Sequence, residues 1–171
     1  KDLKNREHDG YLYEDAEGSF ELLTRRHQGK LRDFFQLSGY RIITEIRQDG
    51  SQFCEATIKL QVEDIEEHTA AEGDGPVNAL DNALRKALEK FYPSLKKMHL
   101  TDYKVRVLEG KEGTRAKVRV HIYSVNEHAS WGTVGVSENI IEASWEALSD
   151  SVNYHLLKYR EVKRPKKKNL K

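Results

Sequence analysis

The residues of this chain whose types and spacing favour chemistry lie in the segment Gly73-Asp74-Gly75-Pro76-Val77, directly before an apolar pattern of helical period. Glycine leaves the backbone open to close approach, and Pro76 suits the first position of a helix because it has no N–H group to satisfy. A helix N-terminus carries partial positive charge and attracts anions such as carboxylates. The segment predicts a carboxylate-binding site, and a tight turn with only a structural role is the alternative.

Side chains around this segment match the remaining parts of an amino acid. Asp74 suits a helix cap or a partner for an ammonium group. Leu100, Tyr103 and Val107 lie at the start of a predicted strand in the second half of the chain and can form an apolar wall. A site with contacts for a carboxylate, an ammonium group and a branched apolar side chain predicts a free amino acid as the ligand.

The chain lacks the residue patterns of catalytic and metal sites. Its seven histidines are scattered, and no His-x-His, His-Glu-x-x-His or Cys-x-x-Cys pattern occurs. Gly73-x-Gly75 has no third glycine and no buried parallel strand before it, which argues against dinucleotide binding. We therefore predict no catalytic residue, no metal ligand and no cofactor in this chain, and a self-sufficient enzyme is the function class with the least support.

Length and composition place the chain in a broad class. The 171 residues suit one or two small domains. The single cysteine, Cys54, cannot form an internal disulfide, so a reducing compartment and a cytoplasmic location are expected. No apolar run approaches the roughly 20 residues of a membrane span, and no secretory signal is visible. Because the chain begins at Lys1 without methionine, inside a helical pattern, we expect a fragment of a longer protein.

The charge distribution is uneven, although the formal net charge is only +1. Residues 158–171 hold eight lysines and arginines but one acidic residue, Glu161, so the rest of the chain is acidic. A domain that binds nucleic acid usually carries its positive charge on the fold itself. We therefore expect a solvated basic tail at 159–171, and contact of that tail with nucleic acid or an acidic partner is the alternative.

Two kinds of periodicity divide the rest of the chain. Residues 1–37 contain apolar patches at helical spacing and predict two or three short helices, a small helical linker subdomain. Residues 38–158 contain strands of alternating polarity, and each set of three strands is followed by a helix. One β-β-β-α unit spans about 40–92 and a second about 102–158. Apolar positions of the two helices superpose at a constant offset: Ala79 and Ala143, Ala83 and Ala147, Leu84 and Leu148.

The duplication predicts the fold class. A helix that covers one face of a sheet gives a two-layer α+β structure, here built twice from β-β-β-α units and preceded by the helical linker. Two such sheets usually bury their remaining apolar surface against each other or against a second copy of the chain. We therefore expect a site between the repeats and a homodimer.

Three ordered motifs within residues 38–158 resemble the C-terminal regulatory domain of the 2-isopropylmalate synthase and citramalate synthase family. The upstream pattern of residues 10–23 is similar to the linker subdomain of that family. This linker and residues 145–148 resemble the citramalate synthase branch more than the isopropylmalate synthase branch. The three motifs are residues 73–80, 100–103 and 132–144.

The resemblance implies an activity for a larger parent protein. In this family a TIM-barrel domain condenses an acyl-CoA with a 2-oxo acid and uses a divalent metal; in the citramalate synthase branch these are acetyl-CoA and pyruvate, in isoleucine biosynthesis. The barrel and its metal motif are outside this chain, so the chain is expected to be inactive alone.

The resemblance also implies a regulatory role for this chain. The family's regulatory domain dimerises and binds the end-product amino acid at the domain interface, which inhibits the barrel by feedback. The expected effector is isoleucine, and leucine is the alternative from the isopropylmalate synthase branch. The implied ligand contacts are Gly73, Asp74, Gly75, Pro76 and Val77, with Leu100, Tyr103 and Val107 around the apolar side chain.

A function of another class also fits the order of elements. An α-β-β-β-α order with a basic tail is compatible with a double-stranded RNA-binding module. The acidic body argues against it, because phosphate binding requires lysine and arginine on the fold. No nucleic-acid or membrane partner is therefore expected.

Overall fold

In the computed structural model, which describes residues 2–108 and 116–163, two helices come before the first strand. Helix α1 spans Asp2–His8 and helix α2 spans Glu17–His27. The described residues between these helices, and those that follow α2, form turns and irregular segments. The predicted linker subdomain of 1–37 is therefore only partly helical.

The first β-β-β-α unit follows directly. Strands β1 (Gln36–Ile46), β2 (Gln52–Val62) and β3 (Ile65–Glu72) form an antiparallel sheet in the order β1-β2-β3. Helix α3 (Pro76–Leu88) packs on β2 and β3. Strand β2 buries every second side chain under this helix, which is the expected pattern for a sheet covered on one face.

The second unit repeats this arrangement. A short 3-10 helix, Pro93–Lys97, leads into strand β4 (His99–Val107). Strands β5 (Val118–Val125) and β6 (Ser130–Ser137) complete a second antiparallel sheet in the order β4-β5-β6. Helix α4 (Ile140–Lys163) packs on β5 and β6.

The duplication extends to individual hydrogen bonds. The hydroxyl of Thr69 donates to the carbonyl oxygen of Ala83 at 3.0 Å, and the hydroxyl of Thr133 donates to that of Ala147 at 2.8 Å. The first strand of each unit has a register irregularity at the equivalent place, after Leu37 in β1 and after Leu100 in β4. These features confirm the predicted α+β fold of two β-β-β-α units. The six superposed helix positions named above are all fully buried.

Some predicted boundaries differ from the structure. Strand β1 begins at Gln36, inside the predicted linker, because the strand continues past its register irregularity. Helix α4 continues to Lys163, into the predicted tail of 159–171, because buried Leu156 and Leu157 hold its later turns against the core. The rest of that tail, residues 164–171, lies outside the described residues.

The helical linker attaches to the second repeat. Helix α2 packs on α4 and β6. This contact is close because a Cβ atom on Gly18 would lie 2.9 Å from the carbonyl oxygen of Gly132. Glycine at both positions lets the helix approach the strand backbone.

Candidate functional site

A cleft of about 600 Å³ lies between helix α3 and the start of strand β4, and we call it the α3–β4 cleft. Because α3 belongs to the first repeat and β4 to the second, the cleft lies at the junction of the two units. Its size is in the ordinary range of small-molecule sites. Its lining residues are Val77, Asn78, Asp81, Arg85, Glu89, Lys96, Met98, His99, Leu100 and Tyr103.

Helix α3 begins beside this cleft without a side-chain cap. Its N-cap residue is Gly75, and its first turn contains no acidic side chain. The amide oxygen of Asn78 accepts a hydrogen bond from the backbone N–H of Asp74 at 3.1 Å, outside the helix. The positive end of the helix dipole is therefore not neutralised by an acidic residue of its own first turn, which favours an anion there.

The two glycines ahead of α3 have different physical roles. A Cβ atom on Gly73 would lie 2.7 Å from the Cα atom of Ala79, so the turn can pack on the helix only with glycine at this position. A Cβ atom on Gly75 would meet no atom within 4 Å, and its φ of −167° is extended backbone. The space beside Gly75 is therefore open to a ligand.

Part of the other side of the cleft is apolar. Leu100 and Tyr103 of β4 face Val77 of α3 across it. The Tyr103 hydroxyl lies 2.8 Å from Oγ of Ser144 on α4, and this hydrogen bond orients the ring. The wall is therefore positioned by the second repeat, whereas the polar groups come largely from the first.

The structure brings together three of the eight predicted contact residues. Val77, Leu100 and Tyr103 line the cleft. Residues 73–76 form the turn that leads into Val77 but do not line the cleft themselves. Val107 lies at the far end of β4, on the same face as Tyr103, and is 64% exposed in a single chain.

Asp81, rather than Asp74, is the aspartate of the cleft. Asp74 is exposed and outside the lining, so the geometry does not support its suggested role as an ammonium partner. Both carboxylate oxygens of Asp81 accept from Nε of Arg85, at 3.1 and 3.0 Å. Burial raises the pKa of Asp81, and the nearby Arg85 guanidinium only partly offsets this effect.

Sequence reasoning missed Asp81 and Arg85, although helical spacing could have identified them. Val77, Asp81 and Arg85 are four residues apart and lie on one face of the helix. Nη1 of Arg85 donates to the carbonyl oxygens of Leu95 and Met98 at 3.3 and 2.9 Å. These bonds fix the guanidinium between α3 and the segment before β4, and so fix the carboxylate it holds.

The matching position in the second repeat is filled. Trp145 of α4 corresponds to Asp81 at the repeat offset, and Tyr40 of β1 corresponds to Tyr103. The Trp145 ring lies 6.3 Å from the rings of both Phe35 and Tyr40. An indole side chain therefore occupies the space that is open in the first repeat.

The start of helix α4 in the second repeat is capped by side chains of the chain itself. The side-chain oxygen of Asn139 accepts the backbone N–H of Ile141 at 2.9 Å. Glu142 lies in the first turn of α4 and accepts a hydrogen bond from the Ser137 hydroxyl at 2.6 Å. A capped helix end with its own carboxylate is a poor anion site. Among the described residues, the helix start is thus uncapped in the first repeat and capped in the second.

A second, more polar cleft of about 460 Å³ separates the linker from α4 and β6. The Tyr11 hydroxyl donates to Glu146 at 2.7 Å, and Arg26 pairs with buried Asp150 at 2.9 Å. Burial raises the pKa of both carboxyl groups, Glu146 and Asp150. These pairs attach the linker to the second repeat and involve groups on both sides of the cleft.

Within residues 2–108 and 116–163, no three histidine, cysteine, aspartate or glutamate side chains lie close enough together to hold a metal ion. In the same part of the chain, no helix combines the length and apolar character needed to cross a membrane. Cys54 is buried with its Sγ 3.3 Å from Oγ1 of Thr44.

The fold defines a module of paired β-β-β-α units with a cleft at their junction. Residues 14–156 match the model of the LeuA allosteric (dimerisation) domain. The chain belongs to this family. The family expected from the sequence motifs is therefore confirmed.

Relatives of known name agree with this assignment. The chain is 54% identical over 160 residues to an (R)-citramalate synthase of Aquifex aeolicus (strain VF5), an alignment that covers 93% of this chain and 30% of that protein. It is 55% identical over 168 residues to the (R)-citramalate synthase of Geobacter sulfurreducens, covering 98% of this chain and 32% of that protein. A 2-isopropylmalate synthase of Bacillus pumilus is 29% identical over 115 residues, covering 66% of this chain and 21% of that protein. The chain thus spans about a third of the length of the citramalate synthases it matches.

Proposed function

We propose that this chain is the effector-binding regulatory region of a citramalate synthase, and that it binds isoleucine and thereby inhibits a catalytic barrel outside the chain. The observation that carries the proposal is the α3–β4 cleft, where an uncapped helix start, a largely buried carboxylate and an apolar wall share one space. The family match and the names of the relatives support the wider assignment.

The parts of an amino acid fit the cleft in one orientation. The ligand carboxylate lies at the first turn of α3, near the backbone N–H groups of Val77 and Asn78. The branched side chain packs against Leu100 and Tyr103, where each buried methylene contributes about 0.8 kcal/mol. Polar recognition and apolar burial therefore come from different repeats, which links ligand binding to the packing of one repeat on the other.

A second copy of the chain completes the site in this proposal. Val105 and Val107 lie on the same face of the sheet as buried Val120, yet they are 41% and 64% exposed. Ile46, at the end of β1, is 76% exposed. Exposed apolar side chains on strands are typical of an interface, and a dimerisation family supplies the partner. Val107 would then reach the ligand as part of a dimer.

Catalysis belongs to the parent protein in this proposal. The parent condenses acetyl-CoA with pyruvate and uses a divalent metal held by residues outside this chain. The chain alone is expected to have no transferase activity, because it spans only about a third of the length of the citramalate synthases it matches. The proposed location is the cytoplasm, where the substrates and the amino acid occur together.

Leucine is the second candidate effector. Isoleucine and leucine are isomers, so the apolar area they bury is similar and the shape of the cleft has to select between them. The matches to citramalate synthases exceed those to 2-isopropylmalate synthases in identity and in coverage of this chain, which favours isoleucine.

Thermal melting and calorimetry of the chain with isoleucine and with leucine test the proposal. A ligand that binds only the folded state stabilises it by mass action and so raises the melting temperature. The stabilisation is about 2.7 kcal/mol at a ligand concentration one hundred times the dissociation constant. We expect isoleucine to raise the melting temperature more than leucine. A short RNA duplex serves as the control for the alternative function class.

Two results would overturn the proposal. A melting temperature unchanged by millimolar isoleucine and leucine would remove the amino-acid function. Binding of the RNA duplex with a steep dependence on salt would favour the double-stranded RNA-binding class instead.

A further inference from the structure

We propose that Asp81 binds the α-ammonium group of the effector and so makes the cleft selective for amino acids over other small carboxylic acids. The inference rests on the proposed function, because it assigns the third contact of the same ligand. It replaces Asp74, which is exposed and outside the cleft, as the acidic partner.

The position of Asp81 on the helix suits this role. It lies one turn beyond Val77 on the face that lines the cleft, so about 5.4 Å of helix separates it from the N–H groups of the first turn. The carboxylate and the ammonium group of an amino acid are attached to the same carbon atom. One helical turn therefore offers partners for both groups at the required short spacing.

The hydrogen bonding of Asp81 leaves capacity for a ligand. Among the described residues, Nε of Arg85 is the donor that reaches its carboxylate, whose two oxygens together offer about four acceptor positions. Arg85 itself is committed to the carbonyl oxygens of Leu95 and Met98. The carboxylate is therefore held in place without being saturated.

The electrostatic setting of Asp81 favours an additional cation. Its side chain is only 14% exposed, and it forms an ion pair with a single arginine. The effect of burial exceeds that of Arg85 and raises the pKa of Asp81. The negative charge of the carboxylate is therefore only partly stabilised by Arg85 in the free chain. An incoming ammonium group supplies the missing positive charge and two or three hydrogen-bond donors.

The second repeat provides an internal comparison. Trp145 takes the place of Asp81 there, and its ring packs against Phe35 and Tyr40. The start of helix α4 in this repeat is capped by Asn139. Asp81, the α3–β4 cleft and the uncapped helix start thus occur together in the first repeat, whereas the second repeat has Trp145 at this position and a capped helix start.

Calorimetry with two ligands tests the inference. The ligands are isoleucine and its hydroxy-acid analogue, in which a hydroxyl replaces the ammonium group. We expect the unmodified chain to prefer isoleucine by roughly 10- to 100-fold, the range of a hydrogen bond to a charged group. Asp81→Asn keeps the shape of the side chain and should reduce this preference to roughly threefold or less, by weakening isoleucine binding rather than by improving that of the analogue.

Asp74→Asn is the matched control, because it makes the same change in the neighbouring turn outside the cleft. It should retain the full preference for isoleucine. Asp81→Glu keeps the charge and should retain part of it. A structural role of Asp81 would weaken both ligands equally and leave the preference unchanged.

The outcomes separate this inference from the proposed function. If Asp81→Asn is folded and keeps the preference of the unmodified chain, Asp81 does not bind the ammonium group. If the unmodified chain binds both ligands equally, the ammonium group is not recognised and the inference fails, although the site stands. If it binds neither ligand, the proposed function itself fails. Should Asp81→Asn not fold, the preference of the unmodified chain is measured against pH, and a preference that does not decline in acid overturns the inference.

Discussion

Asp81 and Trp145 occupy the same position in the two repeats, and Asp81 lines the α3–β4 cleft whereas the Trp145 ring packs near Phe35 and Tyr40 at the corresponding place between α4 and β1. Asp81 is tied to Arg85 by a 3.0 Å ion pair at the side of the α3–β4 cleft. Trp145 instead packs 6.3 Å from the rings of Phe35 and Tyr40. The two repeats therefore differ at this one equivalent position of their helices, with a carboxylate in α3 and an indole ring in α4.

The first prediction is one bound isoleucine per chain. In the second repeat Asn139 caps the corresponding helix start, and the Trp145 ring packs near Tyr40 at the position where Asp81 lines the cleft in the first repeat. Isothermal titration of the chain at known active concentration measures the ratio. Two molecules per chain would show that the second repeat also binds, and one molecule per two chains would show a single site shared across the dimer axis.

Removal of the Trp145 ring should destabilise the fold. Trp145→Ala deletes contacts with Phe35 and Tyr40, and we expect the free energy of unfolding to fall by roughly 2–4 kcal/mol, since the side chain is only partly buried. Trp145→Phe keeps an aromatic ring and should lose roughly half as much. Urea unfolding measures both. A change of only a few tenths of a kcal/mol in Trp145→Ala would mean that the ring does not fill the space tightly.

Substitutions at the two glycines ahead of α3 should have different effects, on ligand binding at Gly75 and on stability at Gly73. Gly75→Val places its side chain where no atom lies within 4 Å, so the chain should fold normally while isoleucine binding weakens by roughly tenfold or more. Gly73→Ala would place a Cβ atom 2.7 Å from Ala79 Cα and should lower stability by roughly 1–3 kcal/mol. Melting curves and calorimetry on both variants check this pair. Normal isoleucine affinity in folded Gly75→Val would exclude the helix opening as the site.

Tyr103 and Val107 should differ in their effect on ligand selectivity. Tyr103→Ala removes part of the cleft wall and the hydrogen bond to Ser144, and should weaken isoleucine and leucine together by roughly tenfold. Val107→Ala should weaken isoleucine more than leucine, within the ~1–3 kcal/mol that one methylene can discriminate. Competition calorimetry with both amino acids measures these effects. An equal loss for the two ligands in Val107→Ala would place this residue outside the selective part of the site.

Isoleucine affinity should fall in acid. Protonation of Asp81 removes the charge that pairs with the ligand ammonium, so affinity is complete above the pKa of Asp81 and is lost as pH falls through it. Because burial raises that pKa, the loss should begin at a higher pH than the ordinary aspartate value of 3.8 would allow. The other charged or titratable groups that line the cleft are Arg85, Glu89, Lys96, His99 and Tyr103.

Variants can assign this pH dependence to one group. Titrations from about pH 7 to about pH 4 are compared for the unmodified chain, Asp81→Asn and His99→Gln. We expect Asp81→Asn to flatten the curve and His99→Gln to leave its acid limb in place. If the acid limb disappears with His99→Gln instead, the histidine is the titrating group.

The periodicity of the sequence was sufficient for the fold of each repeat. Strands with alternating polarity and helices with a buried stripe are local patterns, and the superposed alanines and leucines such as Ala79 and Ala143 are buried as expected. Periodicity predicted element ends less well, because packing decides them. Strand β1 starts at Gln36 beyond a register irregularity, and α4 continues because Leu156 and Leu157 are buried.

Some residues of the candidate site could likewise be predicted from local sequence patterns, whereas others are placed there only by tertiary packing. The sequence by itself determined the helix start after Gly75 and the apolar residues Leu100 and Tyr103, because glycine, proline and alternation act over a few neighbouring residues. Only the tertiary structure decided that Asp81 lies in the cleft while Asp74 is exposed, and that Trp145 closes the second repeat. These outcomes depend on which helix face meets which strand of the other repeat, and that contact is set by long-range packing rather than by any local pattern.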